Sequence, residues 1–429
     1  MSDITIGFGF LGILLFLILL RFPIGAALIG VSFCGLWSLV GWRIAWASLG
    51  TIPYQFASNW VLSSVPTFLF MGFVCYHSRL THGLFEAGRV WLGRLPAGLA
   101  IASILGCSGF AAVTGSSVAC SAAMGKIAVP EMVRHGYNPG LAAGTVAAGG
   151  TIGALIPPSI LMILYGVVAQ VPISKLFVGG AVVGVVTVLA YVLVILIRVR
   201  LNRELAPGRG EAVPLRRKME ALLDVWPVLL IVVAIFGGLF SGVFTPTEAG
   251  AVGAFLSCLV AALKGRLSWS VLRSAGVETL QTTAALLIIA IGASLLTRFL
   301  ALSGSGDAIS GAVLNFGAEP LVVIVMIIAI YLLLGMFLEP IGAMLLTLPV
   351  VLPIVGENGF ALIWFGILLT KLLEIGMLTP PIGMNVFVIK GVIGDLASTG
   401  TIFRAVFWFL VADLFIVALM IGFPGLIAF

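Results

Sequence analysis

Two proline pairs interrupt apolar stretches of the sequence and decide how the chain can fold. Residues 152–159 read Ile-Gly-Ala-Leu-Ile-Pro-Pro-Ser, and residues 375–383 read Ile-Gly-Met-Leu-Thr-Pro-Pro-Ile-Gly. Tandem prolines remove two backbone donors and clash with the preceding carbonyl groups, so a helix must open where they occur. The two pairs therefore predict two broken helices.

The composition indicates a membrane protein. The chain has 429 residues, of which 61% are apolar and 9% charged, whereas about a quarter of the residues in a soluble protein are charged. Stretches of roughly 20 apolar residues, long enough to cross a bilayer, occur near residues 4–20, 24–42, 54–76, 140–169, 176–197, 226–244, 247–263, 279–300, 361–389 and 405–428. We predict an all-α polytopic protein embedded in the lipid bilayer.

The basic residues give the orientation. If the N-terminus lies outside, 18 of the 22 Lys and Arg residues fall on the cytoplasmic side, including Arg21 and Arg209. Only Arg43, Lys175 and Arg298 fall outside. This distribution follows the positive-inside rule. It predicts that both termini lie outside, and it explains the net charge of +6 without a nucleic-acid partner.

The sequence also repeats itself at an offset of 223 residues. Four prolines of the first half recur in the second, where about 0.4 coincidences are expected by chance; they are Pro23 with Pro246, Pro130 with Pro353, Pro157 with Pro380, and Pro158 with Pro381. The first copy, 1–197, has an odd number of spans, so the second copy, 226–429, enters the membrane inverted. Residues 198–225 form the predicted cytoplasmic linker.

Each copy contains a second interruption before its broken helix. Segments 96–130 and 320–353 are too long for one span and too short for two, and they are interrupted at 113–117 and 337–340. We predict that both are re-entrant helical hairpins. The broken helices follow at about 140–169 and 361–389.

Opened helices predict ion sites. Where a helix opens, its carbonyl groups can replace the water around a small cation, and hydroxyl and amide oxygens can complete the shell. At the first hairpin tip, Gly115, Ser116 and Ser117 are expected to face the opened backbone around Gly153. We interpret this group as a sodium site.

The second tip suggests a sodium site related to the first by the repeat. Glu339, which aligns with Ser116, is expected to face Thr379, Gly383 and Asn385. Intramembrane charges are costly enough to need a reason, and Glu339 is the one most readily interpreted as functional.

A structural interpretation of these polar residues stays open. Ser116, Ser117 and Thr379 can simply satisfy backbone groups that the helix breaks set free. Lys371 and Glu374, three apart on one helix face, are expected to pair with each other.

Enzyme functions find little support. Gly106-Cys107-Ser108-Gly109 resembles the motif of an intramembrane serine protease, but all three histidines fall in predicted cytoplasmic loops, so a base at membrane depth is missing. No P-loop motif is present, so no nucleotide cofactor is expected. The five scattered cysteines have no spacing typical of a disulfide framework or a metal site.

These residues resemble a known family, the large membrane subunit of the tripartite ATP-independent periplasmic (TRAP) transporters. Five motifs carry the resemblance along the whole chain: Gly115-Ser-Ser-Val-Ala, Pro130-Glu-Met-Val-Arg-His-Gly-Tyr, Gly149-Gly-Thr-Ile-Gly-Ala-Leu-Ile-Pro-Pro-Ser, Gly242-Val-Phe-Thr-Pro-Thr-Glu-Ala and Thr379-Pro-Pro-Ile-Gly-Met-Asn-Val-Phe-Val. Glu339-Pro340 departs from the Asp-Pro of the family pattern.

The resemblance implies sodium symport of carboxylates, such as dicarboxylates, or other organic acids across the bacterial inner membrane. It implies an elevator mechanism, a periplasmic substrate-binding protein and a small membrane subunit, which we expect to be a separate chain. Because helix N-termini favour anions, the candidate substrate contacts at the breaks are Ser116, Ser117, Pro158, Ser159, Thr379 and Pro380. The alternative is a self-sufficient sodium/dicarboxylate symporter of similar architecture.

Overall fold

The computed structural model describes residues 2–20, 22–207, 213–315 and 319–426, and every regular element in these ranges is helical. Arg21 and Arg209, two of the residues used to orient the chain, lie outside the described residues, as does 208–212 of the predicted linker.

The helices of the first half are α1 (Asp3–Leu19), α2 (Ile24–Val40), α3 (Trp42–Ala57), α4 (Ser64–His77), α5 (His82–Leu92), α6 (Gly98–Thr114), α7 (Ser117–Arg134), α8 (Pro139–Thr151), α9 (Ile160–Val168) and α10 (Ile173–Leu201). Those of the second half are α11 (Leu215–Leu223), α12 (Trp226–Phe240), α13 (Pro246–Leu263), α14 (Trp269–Ser303), α15 (Ser305–Asn315), α16 (Pro320–Gly335), α17 (Pro340–Glu357), α18 (Leu362–Gly376), α19 (Met384–Ile393) and α20 (Thr399–Gly422). Short 3-10 turns occupy Trp60–Ser63, Ile152–Ala154, Arg203–Leu205, Gly394–Leu396 and Pro424–Leu426.

The helix breaks lie where the sequence places them. α8 ends at Thr151 and α9 begins at Ile160, while α18 ends at Gly376 and α19 begins at Met384. Each gap contains one of the Pro-Pro pairs, and both Pro-Pro bonds are cis. The predicted opening of these two helices is confirmed.

The two predicted hairpins form pairs of packed helices. α6 packs against α7 across a break at residues 115–116, and α16 packs against α17 across residues 336–339. Both breaks lie within or beside the predicted interruptions. Re-entry into the membrane from one side stays a prediction.

Fewer unbroken helices reach the length of a span than the ten predicted. Six described helices are long and apolar enough to cross a membrane, and the bent pair α11–α12 supplies a possible seventh. Of the ten predicted spans, the two broken ones are divided into short helices, α1 and α2 have only 17 residues, and α12 has only 15. One of the six long helices, α17, belongs to a predicted hairpin and not to the ten spans. The exposed surface is rich in large apolar side chains, such as Val233 at 65% and Phe415 at 67% exposure, as lipid contact requires.

Two loops expected from the sequence are helical. The segment 43–53, which lies between two predicted spans, belongs entirely to α3. In the predicted linker, α10 continues to Leu201 and the amphipathic α11 begins at Leu215. Sequence hydropathy missed these helices because they are not uniformly apolar.

Helix bounds recur at the offset of the sequence repeat. Adding 223 to the bounds of α7 gives 340–357, which are the bounds of α17, and the same shift brings α6, α8, α9 and α10 onto α16, α18, α19 and α20 within three residues. Packing recurs too, because α8 contacts α20 and α10 contacts α18. The inverted repeat remains a prediction that these coincidences support.

The repeat makes a prediction about topology. Leu20 and Val243 are 223 residues apart and are 63% and 69% exposed. In a Cys34→Ser background, chosen because Cys34 is exposed, Leu20→Cys should react with a membrane-impermeant maleimide only from the cytoplasm. Val243→Cys should react only from outside. If both positions label from one face, the copies are not inverted.

Candidate functional site

The first hairpin tip packs directly on the first helix break. α6 ends with Gly115 in the left-handed region at φ +60°, a conformation that glycine adopts without strain. A side chain at Gly115 would overlap the carbonyl oxygen of Pro158. The tip and the broken helix therefore approach each other through backbone.

The predicted first group of residues is brought together. A Cβ atom at Gly153 would lie 2.9 Å from the amide nitrogen of Ser117 and 3.0 Å from the carbonyl oxygen of Ser116. The Ser116 side chain caps α7 by accepting a hydrogen bond from the amide of Ala119 at 3.4 Å. Gly115, Ser116, Ser117 and Gly153 thus form one compact cluster.

The second tip packs on the second broken helix in a similar way. Gly335 at the end of α16 contacts Gly376 at the end of α18 so closely that a Cβ on Gly335 would lie 2.9 Å from the Gly376 Cα. Glu339 then caps α17, with its Oε1 accepting a hydrogen bond from the amide of Gly342 at 2.9 Å.

Both tips line one small cavity. Its volume is about 90 Å³, and its lining residues are Gly115, Ser116, Ser117, Val118, Ala154, Ile160, Leu161, Glu339, Pro340, Ile341, Glu374 and Met377. Glu339 therefore shares a cavity with the first tip. Thr379, Gly383 and Asn385, its predicted partners, are not among the described residues that line this cavity.

The predicted second group is more dispersed. Thr379 donates its hydroxyl hydrogen to the carbonyl oxygen of Ile375 at 2.7 Å, and Gly383 precedes α19 at φ +55°. Asn385 is buried, and its Nδ2 lies 3.5 Å from the carbonyl oxygen of Ala147 in the first copy. Its Oδ1 has no hydrogen-bond partner within the described chain.

A larger cavity of about 860 Å³ adjoins the small one. The two share Ser116, Val118, Ile160, Glu339 and Ile341, so the first turns of α7, α9 and α17 all border them. Free amide groups and the helix dipole make each N-terminus favourable for negative charge. The ends of α7 and α9 are capped by the neutral side chains of Ser116 and Ser159, whereas Glu339 places its carboxylate on the end of α17. The ends of α7 and α9 beside a cavity of this size therefore form a site suited to a small organic anion.

The remaining predicted substrate contacts are placed unequally. Ser117 lines only the small cavity, and Pro158 lies buried behind Gly115. The Ser159 hydroxyl is buried and caps α9 at the amide of Met162, 3.3 Å away. Pro380 is exposed. The hydroxyl groups of Ser159 and Thr379 therefore bind backbone groups of their own helices. The hydroxyl group of Ser116 also caps a helix, but Ser116 lines both cavities as well.

The large cavity continues toward a basic mouth. Tyr76 and Phe110, whose ring centroids are 6.4 Å apart, line both the large cavity and a neighbouring one of about 430 Å³. That neighbour is also lined by the exposed side chains of Arg79, His82 and Lys126. An aromatic neck thus separates the helix N-termini from a positively charged vestibule.

The expected pair between Lys371 and Glu374 is wrong. Lys371 Nζ lies 2.6 Å from Asp413 Oδ1 on α20, with both side chains 1% exposed, and also donates to Thr187 at 3.1 Å. Tyr191 donates to Asp413 Oδ2 at 2.8 Å. A pair between Lys371 and Glu374 was plausible because the two residues are three apart on α18. Nothing in the sequence indicates that Asp413, which is distant along the chain, lies beside Lys371.

Sequence reasoning consequently missed Glu374 as a site residue. Its side chain is 1% exposed and lines the small cavity with Glu339. The sequence does show a carboxylate, Glu374, within a predicted span and six residues before Pro380. An intramembrane carboxylate next to a helix break needs a partner, and this could have marked Glu374 as a candidate.

Comparison with known proteins gives consistent results. The model of the family described as "Tripartite ATP-independent periplasmic transporter, DctM component" matches residues 11–426. A C4-dicarboxylate TRAP transporter large permease protein of Pseudomonas aeruginosa is 35% identical over 372 residues, 86% of each chain. An isethionate TRAP transporter permease protein of Oleidesulfovibrio alaskensis is 33% identical over 82% of this chain and 54% of its own length.

The fold also resembles that of a solved transporter. The crystal structure of the Alcanivorax borkumensis YdaH transporter superposes with a TM-score of 0.64 over 90% of each chain, at 14% sequence identity. At this identity the similarity concerns the fold alone.

The buried ion pair makes a prediction about stability. Lys371→Met should lower the free energy of unfolding by about 3–5 kcal/mol, because it leaves Asp413 buried and unpaired. The double variant Lys371→Met/Asp413→Leu should recover most of that loss. Unfolding of the purified protein in detergent measures both.

The matched control is Arg216→Met, which breaks an ion pair with Glu220 whose arginine side chain is 91% exposed. It should change the stability by less than about 1 kcal/mol. If Lys371→Met behaves like this control, the buried pair is not needed for stability.

Proposed function

The chain belongs to the DctM component of the tripartite ATP-independent periplasmic transporters, and from this membership we propose that it imports small organic anions, carboxylates above all, by sodium symport. The observation that carries the proposal is the convergence of the N-termini of α7 and α9 on the 860 Å³ cavity. That cavity has the volume of an ordinary small-molecule site.

The carboxylate group of the substrate would lie against the first turns of α7 and α9. The amides there are free of intrahelical partners. Polar side chains around the remainder of the cavity include Thr114, Gln281 and Thr282, which would bind the polar parts of the substrate. Apolar residues such as Leu69 and Phe73 complete the wall and would exclude water.

Sodium coupling would use the oxygen groups of the tips. The cluster of Gly115, Ser116, Ser117 and Gly153 offers carbonyl and hydroxyl oxygens close together, the kind of ligand that hard cations prefer. In the second half, Glu339 borders the same cavity, while the buried and unpartnered Oδ1 of Asn385, considered within the described chain, supports a separate ion position near Thr379 and Gly383.

The basic vestibule would be the cytoplasmic exit. Arg79 and Lys126 belong to the segments that the positive-inside rule assigns to the cytoplasm. Exposed cations around a cavity mouth attract anions and speed their passage. The Tyr76–Phe110 neck, formed by α4 and α6, would separate this exit from the substrate cavity.

We further propose an elevator mechanism in the inner membrane, with both termini periplasmic. The hairpins and the broken helices would move together against a scaffold that includes α2, α4, α13 and α14. At the repeat offset, α2 corresponds to α13 and α4 corresponds to the C-terminal part of α14. The packing of α2 on α14 therefore has its counterpart in the packing of α4 on α13, which supports this division. A periplasmic binding protein would deliver the substrate, and a small membrane subunit would complete the transporter.

The proposal is tested in proteoliposomes that contain this chain and its small subunit. Uptake of the labelled substrate should require both the cognate binding protein and an inward sodium gradient. Uptake by this chain alone would favour the self-sufficient symporter. Uptake driven by a proton gradient without sodium would contradict the coupling and leave the architecture standing.

A further inference from the structure

Glu374 lies in the last full turn of α18, before the helix opens at Met377. Its side chain is 1% exposed, and its Oε2 atom has no hydrogen-bond partner among the residues that the structure describes. Removing an ionised carboxylate from water is costly unless another charge balances it. An ionised Glu374 therefore needs a positive charge nearby.

Neighbouring side chains do not supply that charge. Lys371, one turn earlier, is bound to Asp413 and Thr187. The other ionisable groups that face Glu374 are Asp413, Tyr191, Cys120 and, across the small cavity, Glu339. Since Lys371 and Asp413 balance each other, the charge of Glu374 has no counterpart in the described structure.

Further oxygen atoms line the cavity beside Glu374. Ser117 is 5% exposed, and its Oγ also has no hydrogen-bond partner within the described ranges, although it lines the cavity. The opposite wall carries Glu339, whose Oε1 is hydrogen-bonded to α17 and whose charge the N-terminus of that helix stabilises. The volume of about 90 Å³ has room for an ion and a few water molecules.

We propose that Glu374, together with Ser117 and Glu339, binds a coupling sodium ion in this cavity. The site deepens the proposed sodium symport and rests on it. It differs from the two sites expected from the repeat, because its ligands come from the first tip, the second tip and the second broken helix. An ion here ties both halves of the chain together beside the larger cavity, with which the small one shares Ser116 and Glu339.

Sodium binding can be measured without substrate or partners. The full-length chain is purified in detergent, and its thermal unfolding is followed in NaCl and in KCl at equal ionic strength. A ligand that binds only the folded state stabilises it by RT ln(1 + [L]/Kd), so the unfolding temperature keeps rising as the ligand concentration increases above Kd. We expect a sodium-specific rise for the unmodified chain.

The Glu374→Gln variant should need at least roughly tenfold more sodium than the unmodified chain to show the same rise in unfolding temperature. In KCl alone this variant should unfold at a higher temperature than the unmodified chain, because it removes an uncompensated charge. Glu374→Asp keeps the carboxylate and should retain a sodium response. Glu220→Gln, at an exposed position on α11, is the control for loss of a carboxylate and should leave the sodium response unchanged.

A Glu374→Gln chain with the sodium dependence of the unmodified chain would overturn the proposal and leave sodium symport standing. An unmodified chain that sodium does not stabilise would overturn both. If Glu374→Gln does not fold, Glu374→Asp decides in its place. The aspartate side chain is shorter and holds its carboxylate farther from the ion, so sodium binding should weaken. An unchanged sodium affinity would contradict a direct contact.

Discussion

Unpaired backbone groups cannot face lipid, and the rest of the structure depends on this constraint. Both Pro-Pro pairs open a helix, so each opening must be covered by protein. The first hairpin tip covers the first opening, where Gly115 lies against Pro158, and in the second half Gly335 lies against Gly376 at the end of α18. Pro380 and Pro381 of the second opening are exposed in this chain alone. Glycine at these contacts allows backbone to meet backbone. The same contacts bring helix N-termini and free oxygen atoms into one place, which is where binding chemistry becomes possible.

Local features of the fold could be predicted from the sequence because their causes are local. Proline chemistry placed the openings at residues 152–159 and 377–383. Long-range pairings could not be predicted. Asp413 lies 42 residues beyond Lys371, and only packing of α18 on α20 brings them together and leaves Glu374 unpaired.

The two halves are similar in backbone and different in charge. At the repeat offset, Glu374 corresponds to Thr151, and Glu339 corresponds to Ser116. In the first half Thr151 bonds to the backbone of its own helix and to Tyr191, so its hydroxyl group is satisfied. The second half thus carries carboxylates where the first carries hydroxyls. This difference in charge at matching positions is what the proposed binding of a cation and an anion side by side would use.

Both tips border one small cavity, and we propose that ion and substrate bind in this cavity and the larger one beside it. The most direct test is an experimental structure determined with sodium and the transported anion. We expect the anionic group of the substrate to lie within hydrogen-bond distance of the first-turn amides of α7 or α9, with ion density in the small cavity beside Ser117 and Glu374. Substrate bound at a position that contacts neither tip would contradict it.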